Sequence, residues 1–293
     1  GMYPMSYEFH HGSELLTLCS RYKISIGEVM LRREMEDTTR TREEIFAEMK
    51  LNLDVMRTSI RTGLDPTVPT RGLMAGNESV KLARYAQNSE LGGRLCGIVA
   101  AGMAVAEVNA SMGQIVAAPT AGASGILPAI VVCCGEEQHM DDEALCMALF
   151  AAGAVGAIVA ENASIAGASG GCQAETGTGA AMAAAALAQM KGADPEISLT
   201  AAAITLKNCM GLVCDPVGGL VECPCIKRNA IGVTNAVLSC DLAMAGIPSL
   251  IPFDEVVEAM KSVGDAMSSD LKETARGGVA ATKTGKALTR NIL

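Results

Sequence analysis

Helical periodicity dominates the pattern of hydrophobic and polar positions along the chain. Behind the capping box Thr41-Arg-Glu-Glu44, apolar residues recur at helical spacing until Gly63, which predicts a stop. Those apolar residues are Ile45, Met49, Leu53, Met56 and Ile60. Ser25-Ile-Gly-Glu28 is another capping box, and Asp194-Pro195 predicts a helix start. Runs rich in Val, Ile and aromatic residues with a period of two are missing. The pattern therefore predicts an all-α fold.

Small residues continue the helical pattern through the rest of the chain. Alanine-rich segments that we predict to be helices lie near 94–110, 141–160, 177–191 and 228–245, and Asp254 is predicted to cap a further helix through about Met267. Residues 1–75 form a charged, amphipathic helical section, and residues 76–293 form a small-residue core that joins it in one continuous domain. Because Ala and Gly let helices approach closely, we expect an Ala/Gly-rich helical bundle with Gly/Ser/Pro-rich loops.

Composition and charge exclude several classes of protein. Aromatic residues are only 3% of the 293 and the formal net charge is −9, which disfavours stacking on nucleic acid and binding to a phosphate backbone. No Lys or Arg occurs between Arg94 and Lys191, and residues 144–160 are strongly apolar. That run is short for a membrane span and is flanked by Glu143 and Glu161, so we predict a buried helix and no membrane partner. A cytoplasmic location, with reduced cysteines, is the expectation.

Three loops have a composition that does not suit plain core. They read APTAGASG (118–125), ENASIAGASGGCQAE (161–175) and GLVCDPVGGLVECPCIKRN (211–229). Each loop combines Gly, which lets the backbone approach a ligand closely, with Ser, Thr or Asn donors. Helix-to-helix connections also use these residues, so each loop taken singly is a weak signal of a binding site.

The eleven cysteines divide between helices and these loops. Seven of them lie in apolar helical patterns, where a free Cys acts as a small hydrophobe: Cys19, Cys96, Cys133, Cys134, Cys146, Cys209 and Cys240. Cys172, Cys214 and Cys225 lie in the Gly/Pro-rich loops, and Cys223 is ambiguous. Three thiolates are one short of a closed tetrahedral metal site. Their spacing alone is weak evidence for a metal, because no close CxxC pair anchors it.

The three loops together resemble the α chain of iron–sulfur-dependent L-serine dehydratase, also called L-serine deaminase. The matching motifs are PTAGASGILPA, ENASIAGASGGCQAE and CDPVGGLVECPCIKRNA. The resemblance extends to ISIGEVMLRREME and TREEI near the start and to ETARGGVAATKTGKAL near the end. The last motif usually reads GGLAATPTG in the family, so Val279 and Lys283 are mild departures.

The resemblance implies a [4Fe–4S] cluster held by three cysteines, with one iron open to substrate. The matching ligands are Cys172, Cys214 and Cys225, whereas Cys223 occupies a place that is more often aliphatic in the family. The implied reaction is β-elimination of water from L-serine, in which the open iron acts as a Lewis acid on the hydroxyl. The product then tautomerises and hydrolyses to pyruvate and ammonia.

The Cα proton needs a base, and the sequence leaves several candidates open. The three histidines, His10, His11 and His139, are expected at the surface, the first two near a flexible end. The remaining catalytic candidates are Ser124, Ser164, Ser169, Glu161 and Glu175, or a residue of another chain. The substrate carboxylate has Arg228 as its candidate cation. Residues of the three loops join Arg228 in the predicted substrate-binding set, which is Thr120, Asn162, Gly170, Arg228 and Asn229.

Members of the resembled family occur in one-chain and two-chain forms, and this chain resembles the α subunit of the second. The implied partner is therefore a β subunit of the same enzyme, and a higher oligomer is possible. Three alternatives stay open at this point. They are a cysteine desulfidase of the same domain type, a non-catalytic iron–sulfur module, and pyridoxal-phosphate elimination, which the absence of a lysine from the Gly loops before Lys227 disfavours.

Overall fold

The computed structural model describes residues 6–293. The regular secondary structure in that range is helical, and loops connect the helices. The bounds of the first seven helices are α1 Gly12–Tyr22, α2 Ile26–Thr38, α3 Arg42–Leu64, α4 Glu78–Tyr85, α5 Gly93–Ala110, α6 Ile126–Glu137 and α7 Asp142–Asn162. The remaining six are α8 Gly167–Gly170, α9 Cys172–Met190, α10 Pro195–Asn208, α11 Cys225–Met244, α12 Phe253–Ala266 and α13 Lys283–Ile292. Residues 6–293 contain no β-strand, only two isolated bridges. The predicted all-α fold is confirmed.

The predicted helix starts are mostly those that the structure uses. The Ser25 hydroxyl accepts a hydrogen bond from the Glu28 amide at 3.1 Å, and Thr41 and Glu44 form a complete capping box. Asp194 precedes α10 with Pro195 in its first turn, although its side chain makes no capping bond. The prediction for Asp254 is wrong, because α12 begins one residue earlier and the Asp254 carboxylate instead accepts from the Gly12 and Ser13 amides.

Helix α9 lies at the centre of the bundle and packs against α6, α7, α10 and α11. Ala181, Ala183, Ala184 and Ala185 in its middle are completely buried, so its neighbours lie close on all sides. This position suits a helix in which more than half of the residues are Ala or Gly. The first turn of α9 carries Cys172 and Glu175, so the packing of α9 determines where those two residues lie.

Helices α5 and α7 are long and apolar enough to cross a membrane by length and composition alone. In the fold, however, 67% of the apolar window of α5 and 61% of that of α7 are buried among other helices. The run at 144–160 is thus part of the buried helix that its acidic flanks predicted. The gap in cations between Arg94 and Lys191 spans these core helices, where a charged side chain would be costly.

The N-terminal section shares its core with the rest of the protein. Phe9, Leu15, Ile26 and Leu53 belong to the same buried cluster as the residues of α7 and α9. Phe9 is completely buried, and the Asn162 side-chain amide donates to the His10 carbonyl at 2.6 Å. The expectation of a flexible end at His10 and His11 is therefore wrong for residues 6–11. A boundary near residue 75 stays a prediction.

Candidate active site

The three Gly-rich loops meet at the first turn of α9. The Glu175 carboxylate points between Gly122 of the first loop and Gly167 of the second. A Cβ at Gly122 would overlap that carboxylate, and a Cβ at Gly167 would lie 3.1 Å from Glu175 Oε2 and 2.6 Å from Cys214 Sγ. Only glycine leaves room for such a close approach. The carboxylate therefore lies against all three loops and beside one of the predicted cluster cysteines.

The three predicted cluster cysteines lie at the edges of this meeting point. Cys172 is the first residue of α9 and Cys225 the first residue of α11, whereas Cys214 lies in the loop before a 3-10 turn. Cys172 Sγ is 2.9 Å from the hydroxyl of Thr176 one turn along. The Cys214 amide donates to Leu271 at 2.9 Å. The Cys214 carbonyl accepts from the Glu273 amide at 2.8 Å, so the segment before α13 covers this loop.

Electrostatics ties the three thiols into one group. Burial raises the pKa of Cys214 to about 12, and the charge of the Cys172 thiolate is the second cause. Burial likewise raises the pKa of Cys225, with Cys172 again the second cause. Burial also raises the pKa of Cys172, opposed by the Thr176 hydroxyl and by Arg228. Three thiolates this close together need a cationic centre before all of them can ionise.

Among residues 6–293, no group of three or more His, Cys, Asp or Glu side chains is arranged as a site for a single metal ion. What the fold supplies for the three cysteines is their place beside the loops that meet at the first turn of α9.

Glu175 is the one predicted catalytic residue that lies among the cysteines. Burial raises the pKa of its carboxyl group, and the nearby Thr120 hydroxyl and Gly167 amide oppose that rise. The predicted ligand-binding residue Thr120 has a buried hydroxyl with no hydrogen-bond partner of good geometry. That hydroxyl still lies close enough to Glu175 to lower the pKa of its carboxyl group, so Thr120 and Glu175 face each other between the loops.

Ser124 and Asn229 have structural bonds that join the first loop to α11. Asn229 is completely buried; its Oδ1 accepts from the Gly125 amide at 3.0 Å, and its Nδ2 donates to the Gly122 and Cys225 carbonyls, both at 2.9 Å. Ser124 is also buried and donates to the Ala121 carbonyl at 2.7 Å. These bonds use both amide hydrogens and the amide oxygen of Asn229, so Asn229 positions Gly122 and Cys225 relative to each other.

Arg228 is paired with Asp215 and with a backbone carbonyl, and its charge also reaches the three cysteines. Its Nη1 lies 2.9 Å from Asp215 Oδ1, in an ion pair without hydrogen-bond alignment, and donates to the Val213 carbonyl at 2.7 Å. The other Asp215 oxygen accepts from the Val279 amide at 2.6 Å. The pair is largely buried, so it fixes the Cys214 loop to the GGVAATKTG segment.

Ser164, Ser169 and Gly170 lie around a different space. They line a cavity of about 180 Å³ between the second loop and α12, together with Gln173 and Ala174. The hydroxyls of Ser164 and Ser169 share a short hydrogen bond. Successive residues of a helix are turned by about 100°. Gln173 and Ala174 therefore face this cavity while Cys172 and Thr176 face the cysteines. The structure does not bring these two serines together with the thiols.

Asn162 lies at the end of α7, and its side chain is also occupied. Its Nδ2 donates to the His10 carbonyl and, at 2.9 Å, to the Ile158 carbonyl. Asn162 therefore ties the N-terminal segment to α7. The predicted site thus divides into a group that meets, Cys172, Cys214, Cys225, Glu175 and Thr120, and a supporting group that holds the loops.

Sequence reasoning missed two buried carboxylates of the third loop. Asp215 pairs with Arg228, as described above. Glu222 is 5% exposed and accepts hydrogen bonds from three backbone amides, those of Leu73, Met74 and Ala75, at 3.0–3.1 Å. An acidic residue two places before a Pro-Cys pair, inside an apolar loop, is the signal that could have marked Glu222, since buried carboxylates require partners.

A helical bundle that gathers three thiols and a carboxylate where its Gly-rich loops meet has the form of an enzyme site. The serine dehydratase alpha chain family matches residues 21–280 of this chain. A probable L-serine dehydratase alpha chain from Bacillus subtilis is 46% identical over 286 residues, covering 97% of this chain and 95% of that protein. The L-serine dehydratase alpha chain of Peptoniphilus asaccharolyticus is 43% identical, covering 96% and 97%.

A longer relative shows the same similarity over part of its length. The L-serine dehydratase of Streptomyces coelicolor is 40% identical, and the match covers 94% of this chain but 61% of that protein. The chain described here belongs to the serine dehydratase alpha chain family. The predicted family is therefore confirmed, and with it the predicted enzyme class, that of the alpha chain of an L-serine ammonia-lyase.

Proposed function

We propose that this chain is the catalytic alpha subunit of an enzyme that deaminates L-serine to pyruvate and ammonia and uses a [4Fe–4S] cluster. The observation that carries the proposal is the meeting of Cys172, Cys214, Cys225 and Glu175 at the start of α9. The relatives are named L-serine dehydratase alpha chains, which supports L-serine as the substrate and an alpha-subunit role for this chain. The proposal includes a β subunit as partner and a cytoplasmic location, because free thiols persist in reducing compartments.

The donor set fits such a cluster in its chemistry. Thiolates are the ligands that iron–sulfur clusters take, and three of them leave one iron without a protein ligand. Cys172 and Cys225 each begin a helix, where the free backbone amides favour a thiolate. The charge of Cys172 contributes to the raised pKa of both Cys214 and Cys225, which supports the grouping of the three thiols. We therefore assign Cys172, Cys214 and Cys225 as the ligands.

When bound, the cluster supplies a Lewis acid that eases departure of the serine hydroxyl. The residues of this chain then have three tasks. Glu175 accepts the Cα proton at a carboxylate oxygen, because it is the only predicted base beside the thiols. Thr120 orients the substrate through its hydroxyl, which faces Glu175, and the amides of the Gly-rich loops bind the substrate carboxylate. Asn229 and the Arg228–Asp215 pair keep the loops in place while the proton moves.

Iron loading of single-cysteine variants tests this proposal. The protein would be reconstituted anaerobically with iron and sulfide, and then assayed for pyruvate with the β chain present. We expect Cys172→Ser, Cys214→Ser and Cys225→Ser each to abolish the cluster absorbance and the activity. Cys223→Ser is the matched control, two residues from Cys225, and should keep both. Loss of the cluster in Cys223→Ser with retention in Cys225→Ser would show that the ligand choice is wrong.

A further inference from the structure

Glu222 connects two parts of the chain that the sequence treats as unrelated. Residues 70–77 form a tight hairpin in which the Gly72 amide donates to the Ala75 carbonyl at 2.9 Å, and Arg71 and Gly76 form a bridge. This hairpin follows the N-terminal helical section. Glu222 lies almost 150 residues later, three residues before Cys225. The Glu222 carboxylate, with its three amide donors, is the contact between them.

The geometry of this contact resembles that of an anion-binding site made of backbone amides. The bound anion is the carboxylate of Glu222. Leu73 donates to Oε2, whereas Met74 and Ala75 both donate to Oε1. Among residues 6–293, no Lys, Arg or His forms an ion pair with Glu222, so backbone amides alone satisfy its charge. Gly72 packs directly on the carboxylate, and a Cβ there would overlap it. Hydrogen bonds to a charged acceptor are the strong class.

The backbone around Glu222 leads directly to the cysteine. The Glu222 carbonyl accepts from the Ile226 amide at 3.0 Å and thereby starts α11, while the Cys223 carbonyl accepts from the Val217 amide at 2.9 Å. The Glu222 side chain and main chain thus fix both sides of the turn that presents Cys225. The hairpin also contains Thr70, which is 2% exposed and whose hydroxyl has no hydrogen-bond partner.

We propose that Glu222 is a positioning residue, which locks the hairpin at 70–77 against the turn before Cys225 and so holds that thiol in place for the cluster. The inference rests on the proposed role of Cys225 as a ligand. In this arrangement the hairpin supports the turn that presents Cys225. Without the carboxylate, the three amides lose their acceptor and the turn before Cys225 loses its support on one side.

The test compares Glu222→Gln with Asp254→Asn. Asp254 is a matched control, because its carboxylate also accepts from two backbone amides distant in sequence, at the contact of α12 with α1. In the iron-free protein, the rate at which iodoacetamide alkylates Cys225 is followed by mass spectrometry. In the iron-loaded protein, the rate of iron loss to a chelator is followed by absorbance. We expect both rates to rise at least about tenfold in Glu222→Gln and to stay unchanged in Asp254→Asn.

Each other outcome contradicts a defined part of the proposal. Unchanged alkylation of Cys225 in Glu222→Gln, or equal acceleration in Asp254→Asn, overturns the positioning role. Faster alkylation with unchanged iron loss overturns its connection to the cluster. Gly72→Ala is a second variant, expected to act in the same direction by displacing the hairpin, and circular dichroism checks that each variant folds. A wild-type protein that binds no iron contradicts the proposed function itself, whereas the alkylation rates still test the contact.

Discussion

At the scale of single residues, the site separates groups that face the reaction from groups that hold them. Glu175 and Thr120 face each other between the loops, and the Thr120 hydroxyl has no well-aligned hydrogen-bond partner. In Asn229, both amide hydrogens and the amide oxygen bind backbone. A substrate can compete for the first kind of residue without loss of structure. Replacement of the second kind should instead damage the loops themselves, since buried groups left unpaired are costly.

Glu175→Gln tests the assignment of the base. The amide cannot accept the Cα proton, so we expect kcat to fall about 100-fold or more while the iron content stays the same. The measurement is pyruvate formation by the iron-loaded protein with its β partner. Glu273→Gln is the control, because Glu273 is exposed and its charge is close enough to raise the pKa of Glu175. An equal fall in both variants would contradict a specific role for Glu175.

The sequence allowed only part of this residue-level description to be predicted. Resemblance identified Cys172, Cys214 and Cys225, and composition placed Glu175 in a suspect loop. Neither could separate Glu175 from Ser164 and Ser169, because all three lie in one segment of 15 residues. What separates them is the packing around α9: the two serines line the cavity that Gln173 and Ala174 also line, whereas the Glu175 carboxylate lies against Gly122 and Gly167. That orientation depends on tertiary packing.

At the scale of elements, close approach between helices decides where glycine is required. Gly63 in α3 faces α5, and a Cβ there would lie 2.5 Å from the Ala104 carbonyl oxygen and 2.6 Å from its Cβ. A Cβ placed at Gly97, in α5 itself, would have no atom of another element within 4 Å. The two glycines look alike in the sequence, and both are inside helices. Only one of them holds two helices together.

Alanine substitution at these two glycines should therefore have opposite effects. Gly63→Ala is expected to destabilise the protein by about 1–3 kcal/mol, because α3 and α5 must separate to admit the methyl group. Gly97→Ala is expected to be neutral or to stabilise by up to about 1 kcal/mol, since Ala has the higher helix propensity. Urea unfolding followed by circular dichroism measures both changes in the free energy of unfolding. Equal destabilisation in the two variants would mean that the close contact carries no energy.

Helix positions were the most predictable feature at this scale, and for a local reason. Ser25, Thr41 and Pro195 act within one turn, so their signals survive without knowledge of the fold. Asp254 carried the same local signal, but a long-range partner overrode it, because its carboxylate binds amides of α1 about 240 residues away. Glu222 also could not be predicted from local signals. Its partners lie in the hairpin at 70–77, whose sequence predicts only a turn between two sections of the chain.

At the scale of the whole molecule, the N-terminal segment belongs to the core. Phe9→Ala tests this, because Phe9 is completely buried and its removal leaves a cavity. We expect a loss of about 3–5 kcal/mol in the free energy of unfolding. Leu51→Ala on α3, where the side chain is 66% exposed, is the control and should change the stability by less than about 0.5 kcal/mol. A small effect of Phe9→Ala in urea unfolding would mean that the segment is only loosely attached.

The core also predicts how the protein would behave without the proposed cluster. None of Cys172, Cys214 and Cys225 belongs to the large apolar cluster that joins α1 through α12. Removal of iron by a chelator should therefore leave the far-ultraviolet circular dichroism unchanged, unlike that of small metal-dependent domains, which unfold. Activity would be lost while the helices stay. Loss of most of the helical signal on chelation would contradict this expectation.

The composition of α9 has a thermodynamic consequence for the site. Ala and Gly make up more than half of this helix, and neither has side-chain rotamers to lose on folding. Burying α9 on every side therefore costs little conformational entropy beyond that of the backbone. Neither residue type offers an alternative rotamer into which the packed helix could relax. The first turn, with Cys172 and Glu175, thus belongs to a helix in which most residues have no alternative side-chain rotamers. This favours an ordered first turn before any substrate binds.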